Sequence, residues 1–197
     1  MIAYDLIGQT PLVLLESFSD ENVKIYAKLE QFNPGGSIKD RLGKYLIEKA
    51  IDEGRLKEGD TIVEATAGNT GIGLAIASNR HKVKCIIFAP EGFAEEKISI
   101  MKALGADVRR TPKAEGMTGA QQEALAYATR YGYLYMNQFE TKDNPGAYTQ
   151  TLAKQLTDEL SHIDYFVAGV GSGGTFTGVA QHLKTYDVKN YIVEPEG

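Results

Sequence analysis

The sequence predicts an α/β protein in which largely parallel sheets are covered by helices on both faces. Apolar runs of strand length, such as residues 83–89, alternate with longer stretches of helical periodicity. Glycine-rich segments sit where a strand gives way to a helix, at residues 68–71 and 169–174. No internal repeat or low-complexity segment interrupts the alternation. Strand–helix–strand order implies parallel pairing, and ligands then gather at the carboxyl ends of the strands.

The elements follow in order. Pro34, Gly35 and Gly36 make a tight turn, Ser37 is placed to cap a helix, and Ile38, Leu42, Tyr45, Leu46 and Ala50 form its apolar stripe. Residues 61–64 read as a strand, followed by a glycine-containing loop and a helix over 72–79. Residues 83–89 are the next strand, and the helix over 95–104 is stopped by Gly105. Asp107 and Val108 open a short strand, 120–131 is helical with Gly132 as its stop, 133–136 is strand-like, and a helix fills 148–160. The last unit is a strand at 165–168, a glycine-rich turn, a helix over 176–184 and a strand at 191–193. Tyr191, Ile192 and Val193 are apolar on both faces, as an interior parallel strand is, yet no helix follows to cover them. The expectation is a fragment of a longer protein.

Composition narrows the function. A 197-residue chain that is 43% hydrophobic can fill a proper core in one large domain or two small ones. With 21 basic against 26 acidic residues the net charge is -5, which offers no footprint for a nucleic acid backbone. The N-terminus lacks a basic segment followed by an apolar run, and no apolar stretch is long enough for a bilayer, so a soluble, cytoplasmic protein is expected. Cys85 has no partner for an internal disulfide, and its apolar run reads as a buried strand rather than a reactive thiol. His81, His162 and His182 lie far apart without ligand-like spacing, and no metal site is expected.

Three constellations could carry chemistry. In residues 33–41, Lys39 falls in the first turn of a helix, where the helix N-terminus and Arg41 both disfavour an ammonium. A neutral, nucleophilic amine suited to imine formation is one reading, and a solvated lysine beside Asp40 is the other. In residues 64–71, glycines expose backbone N–H groups at a helix start while Thr66, Asn69 and Thr70 add side-chain donors, which suits a carboxylate or phenolate. Caps and turn formers of the same types need no ligand. In residues 169–175, glycines between a strand and a helix describe a phosphate cup, and the absence of a Gly-Lys-Ser/Thr ending excludes a nucleotide-triphosphate loop. Gly169, Gly171 and Gly174, with Glu194 about twenty residues on, also fit a dinucleotide fingerprint and keep an NAD-binding oxidoreductase open. A monophosphate cofactor fixed to a lysine gives all three segments a task; the dinucleotide reading uses only the last. A catalytically silent module that binds a partner's peptide carboxylate on the same scaffold is a third reading.

With these residues assembled, the chain resembles the fold-type II pyridoxal-phosphate family of cysteine synthases and cystathionine β-synthases. The resemblance runs from Ile7-Gly8-Gln9-Thr10-Pro11-Leu12 through Lys28-Leu29-Glu30 and residues 33–41 to Val193-Glu194-Pro195. It implies two three-layer α/β/α domains of the tryptophan synthase β-like type: a smaller mobile domain at 36–141, and a larger cofactor-phosphate domain from 1–35 plus 142–197, incomplete at its C-terminus. Lys39 would be the Schiff-base lysine and the base that moves the Cα proton. Asn69 would bond the cofactor's 3-hydroxyl, and Thr66, Gly68, Asn69, Thr70 and Gln138 would hold the substrate. Gly171, Ser172, Gly173, Gly174 and Thr175 would bind the phosphate of pyridoxal 5'-phosphate.

The implied reaction replaces the β-substituent of O-acetylserine or serine with homocysteine or sulfide, in a protein that is a homodimer when full length. Ala67 stands where many relatives have serine, and the loop Ala65-Thr66-Ala67-Gly68-Asn69-Thr70-Gly71 resembles the cystathionine-forming branch. Relatives continue past Gly197 into elements that place a neutral hydroxyl at the pyridine nitrogen. The resemblance therefore implies weak cofactor binding and poor turnover for residues 1–197 alone.

Overall fold

A computed structural model describes residues 2–93 and 95–194. Strands β1 (Leu12–Leu14) and β2 (Tyr26–Lys28) pair antiparallel, and helix α1 spans Lys39–Asp52. There follow β3 (Thr61–Ala65), α2 (Asn69–Arg80), β4 (Lys84–Pro90), α3 (Glu95–Ala103), β5 (Asp107–Thr111), α4 (Gly116–Tyr131) and β6 (Leu134–Tyr135). Helices α5 (Asp143–Tyr148) and α6 (Lys154–Glu159) are joined by a π-helical turn at Thr149–Ala153, and β7 (Tyr165–Gly169), α7 (Gly174–Leu183) and β8 (Lys189–Val193) close the described chain.

The expected α/β class holds. Strands β3 to β6 form one parallel sheet in the order β5-β4-β3-β6, and β7 pairs parallel with β8. Alternate residues point to opposite faces, so the continuous apolar runs at β3 and β4 fill two cores at once. Val63, Ala65, Ile86 and Phe88 pack under Ala120, Ala124 and Ala128 of α4. Ile62, Cys85, Ile87 and Ala89 face the opposite side, in a core that includes Leu42, Leu46 and Ile47 of α1, Leu74 of α2 and Met101 of α3. Cys85 is a buried strand residue, and burial pushes its thiol up to about 12. No helix among the described residues is long and apolar enough to cross a membrane.

Where boundaries moved, polar or breaking residues had hidden a helix. Helix α2 begins at Asn69 rather than 72, because its first turn is Asn69-Thr70-Gly71, which carries no apolar signal. The helix expected over 148–160 begins at Asp143, since Pro145 in a first turn forfeits no intrahelical hydrogen bond. Strands β1 and β2 were not anticipated; three residues are too few to show a period. Tyr191, Ile192 and Val193 pair in parallel as expected, and each is more than half exposed.

Glycine decides how α1 meets α2. A Cβ on Gly43 would strike the Gly73 backbone, and one on Gly73 would strike the Lys39 carbonyl, so the two helices touch main chain to main chain. Replacing Gly73 by alanine should push α2 away from the start of α1. We expect Gly73→Ala to cost about 1–3 kcal/mol, read as a lower urea midpoint at unchanged slope; an unaltered midpoint would show the contact to be soft.

Candidate active site

Three consecutive charged residues at the start of α1 go to three different places. Lys39 is half-buried, with Nζ 3.2 Å from Ser172 Oγ and 3.4 Å from the Tyr148 phenol oxygen. Its pKa is lowered, and burial is the cause. Asp40 turns back to accept a hydrogen bond from the Gly35 N–H, and burial raises its pKa to about 6, with the Glu30 charge adding to the rise. A side chain at Gly35 would collide with that carboxylate, which explains the glycine there. Arg41 turns to Glu30, its Nε 2.7 Å from Oε2 and its Nη2 2.8 Å from Oε1.

The expectation that Arg41 adds positive charge beside Lys39 is thus corrected: Glu30 takes up that charge, and the amine is shifted by loss of water. The alternative of a solvated lysine paired with Asp40 is also set aside. The expected cap is corrected: Ile38, not Ser37, is the N-cap residue and makes no side-chain cap bond, while Ser37 Oγ, one residue earlier, accepts from the Lys39 N–H at 3.1 Å.

The turn between β7 and α7 supplies Lys39's neighbour. Gly173 is left-handed, at φ 80°, and a Cβ on Gly171 or Gly173 would meet nothing within 4 Å, so bare backbone borders open space before a helix start. Gly174 is different. A Cβ there would collide with the Asn144 side chain, so Gly174 is required by packing. Thr175 acts on Tyr148, partly offsetting the rise that burial imposes on the phenol.

The loop between β3 and α2 is tied from the other side. Thr70 Oγ1 donates to Gln138 Oε1 at 2.6 Å, which brings together two residues far apart in sequence. Thr66 Oγ1 accepts from the Gly68 N–H at 3.1 Å, so that amide is satisfied internally rather than bare. Asn69 is half-buried, and its side chain bonds no other side chain or backbone group among the described residues. Glu64, wholly buried at the end of β3, accepts from the Ala65 and Gln138 N–H groups, and burial raises its pKa to about 7.

Asn144 joins the halves. Its Nδ2 donates to the Gln138 carbonyl at 2.7 Å and to Ser172 Oγ at 3.1 Å, while its buried Oδ1 has no partner among the described residues. Lys39, Ser172, Asn144, Gln138 and Thr70 therefore form one connected polar chain. Sequence reasoning gave no role to Asn144 or Tyr148, which lie one helical turn apart; the expected helix starts at 148 and leaves Asn144 outside it, although Pro145 suits a first turn. The Ile7–Leu12 motif has a structural task. The Gly8 N–H bonds Asn33 Oδ1 at 2.8 Å, the Gly8 carbonyl accepts from Arg41 Nη2 at 3.0 Å, and Thr10 Oγ1 donates to Glu30 at 2.6 Å.

A reactive-looking amine facing a glycine-lined helix start is the arrangement that comparison with known proteins bears on. The family model described as pyridoxal-phosphate dependent enzyme matches residues 3–197. The chain belongs to that family. An O-acetylserine dependent cystathionine beta-synthase of Bacillus subtilis is 50% identical over 198 residues, covering 98% of this chain and 64% of the relative. A cysteine synthase of Helicobacter pylori is 47% identical, covering 98% of this chain and 65% of its own length. The crystal structure of an O-acetylserine dependent cystathionine beta-synthase from Helicobacter pylori superposes with a TM-score of 0.93 at 45% identity, over 100% of this chain and 68% of that one. The chain spans a little under two thirds of the length of these two curated relatives.

The family's cofactor is pyridoxal phosphate, and the residues present fit such a group. A half-buried lysine of lowered pKa faces bare backbone at the start of α7, and the donor Asn69 is uncommitted. Family membership leaves the dinucleotide reading of the Gly169–Gly174 segment without support.

Glu64 offers a pH test of the site's framework. Its folded pKa, about 7, lies above the ordinary 4.5, so between those values the folded state holds a proton that the unfolded chain has released. Its contribution is fully present below about pH 4.5 and is lost as pH rises towards 7. Relative to the parent, Glu64→Gln should gain about 2 kcal/mol of unfolding free energy between about pH 5 and about pH 8. Urea titrations at the two pH values would show it, and a constant difference would contradict the assignment.

Proposed function

We propose that the protein takes part in pyridoxal-phosphate-dependent β-replacement, exchanging the β-substituent of O-acetylserine or serine for homocysteine or sulfide. The observation that carries this reading is the Lys39 amine, which is half-buried, faces hydroxyls rather than a carboxylate, and lies 3.2 Å from Ser172 at the glycine turn. A lowered pKa leaves more of the amine neutral near pH 7, and only the neutral form attacks a carbonyl.

In this reading Gly171, Ser172, Gly173, Gly174 and Thr175 hold the cofactor phosphate against the positive end of α7. Asn69 orients the ring through its 3-hydroxyl and borders the substrate, while Thr66, Gly68, Thr70 and Gln138 hold the substrate carboxylate. When bound, the group supplies an electron sink that makes loss of the Cα proton feasible. Lys39 takes that proton and returns it, acting as general base and then acid at Cα. Residues 36–141 act as the smaller, mobile domain against 1–35 plus 142–197, and closing them excludes water from the reacting atoms. The 50% identity to a protein named for O-acetylserine-dependent cystathionine formation supports O-acetylserine and homocysteine over other pairs.

Excess pyridoxal phosphate should give visible absorbance, and borohydride should then fix the label on the tryptic peptide that carries Lys39. In Lys39→Ala the fixed label should fall to background; equal labelling of the variant would end the proposal. Supplied with O-acetylserine, the loaded protein should turn homocysteine into cystathionine or sulfide into cysteine, and neither product forming in any cofactor-saturated, longer form of the chain would overturn the substrate assignment.

A further inference from the structure

Asn144 has no task in the reading above, yet the residue is only 2% exposed and stands between the two loops that the reading uses. It lies in the first turn of α5, and its Nδ2 donates both to the Gln138 carbonyl, at 2.7 Å, and to Ser172 Oγ, at 3.1 Å. A carbonyl only accepts, so the amide must turn its NH2 that way, and this one group carries a hydrogen for each acceptor. Its Oδ1 is buried without a partner among the described residues and occupies the place that a Cβ on Gly174 would take, at the start of α7. Ser172 Oγ accepts a second time, from Lys39 Nζ at 3.2 Å. A serine hydroxyl has two acceptor positions and one hydrogen. With both positions taken, the hydrogen is directed away from Asn144 and Lys39. The flanking glycines leave room for it, since a Cβ on Gly171 or Gly173 would meet nothing within 4 Å.

We propose that Asn144 is a positioning residue for the cofactor phosphate: by donating to Ser172 Oγ it turns the serine hydrogen out into the glycine turn, where an anionic phosphate oxygen accepts it. The inference rests on the reading above, in which residues 171–175 hold that phosphate. Lys39 fills an acceptor position of Ser172 only while its amine is free. Asn144 stays in place, because its other hydrogen is fixed on the Gln138 carbonyl and its side chain is packed on Gly174. Gln138 is itself tied down, its N–H held by Glu64 Oε2 at 3.1 Å and its side-chain Oε1 accepting from Thr70 at 2.6 Å. The direction of the Asn144 NH2 is therefore set before any ligand arrives, which is what a supporting residue must provide. Aspartate has the same shape and would fail here: its oxygens would face an acceptor carbonyl, and its charge would oppose a phosphate. A neutral amide also directs the hydroxyl without favouring the charged form of Lys39, as a carboxylate would.

The experiment compares two aldehydes, pyridoxal phosphate and pyridoxal, which differ only in the phosphate. Each is titrated into the protein, and the borohydride-fixed label on the Lys39 peptide is followed against aldehyde concentration. Asn144→Leu keeps the branched shape and removes both hydrogens. It should raise the pyridoxal phosphate concentration for half-labelling about tenfold, the scale of one hydrogen bond to a charged group. The value for pyridoxal should stay within about twofold, a selectivity that loosened packing would not produce. Ser172→Ala should show the same selective loss. Adding Asn144→Leu to Ser172→Ala should cost less than about a further twofold, because the two residues act through one hydroxyl. If Asn144→Leu does not fold, Asn144→Ala, which removes atoms and adds none, carries the same comparison. An equal loss for both aldehydes, no loss for either, or a full additional loss in the Ser172→Ala background would overturn the proposal. No label on Lys39 of the parent with either aldehyde would instead sink the cofactor reading, and this inference with it.

Discussion

An amine half-withdrawn from water, with hydroxyls around it and no counter-ion among the described residues, is the condition on which the rest of this site is built. Lysine ordinarily resists such a place, because leaving water penalises its charged form. The surrounding structure removes every alternative. Successive residues on a helix point about 100° apart, so Asp40 and Arg41 cannot follow Lys39 into its corner, and each finds its own partner, at Gly35 and Glu30. The Lys39 backbone is fixed as well, its N–H held by Ser37 Oγ and its carbonyl pressed against Gly73 of α2.

A second consequence is that the glycine turn before α7 and the loop between β3 and α2 are wired together by neutral groups. Asn144 donates in both directions, to Ser172 in the glycine turn and to the Gln138 carbonyl beside Thr70. Charged residues would bind more strongly but would also alter the protonation of Lys39, the property the corner protects. Glu64, a buried carboxyl beside the Gln138 segment, is spent on the Gln138 and Ala65 N–H groups, and its own charge is suppressed by burial. The motif near the N-terminus serves the same end from a distance, since Gly8, Thr10, Asn33 and Glu30 all engage Arg41 or its carboxylate partner.

Much of this was legible in the residues. The alternation of apolar runs and helical stripes gave the parallel sheets, because strands buried on both faces cannot hide their composition. Glycines at two strand-to-helix junctions and a lysine after a capped turn marked the segments that the fold gathers. Helix starts built from polar or breaking residues were harder to see. Asn69-Thr70-Gly71 and Asp143-Asn144-Pro145 open α2 and α5 with no apolar period, and the second hid Asn144.

By itself the sequence determined the class of fold and the family to which the chain belongs, since these depend on local pattern: period, turn chemistry and motif order. Only the tertiary structure decided why Lys39 is set apart. Residues 39, 138, 144, 148 and 172 meet through contacts across the fold, and the shift of the amine comes from burial, a property of the packed molecule that no spacing along the chain encodes. The neighbour that looked decisive in the linear order, Arg41, was neutralised by Glu30, which only folding brings to it.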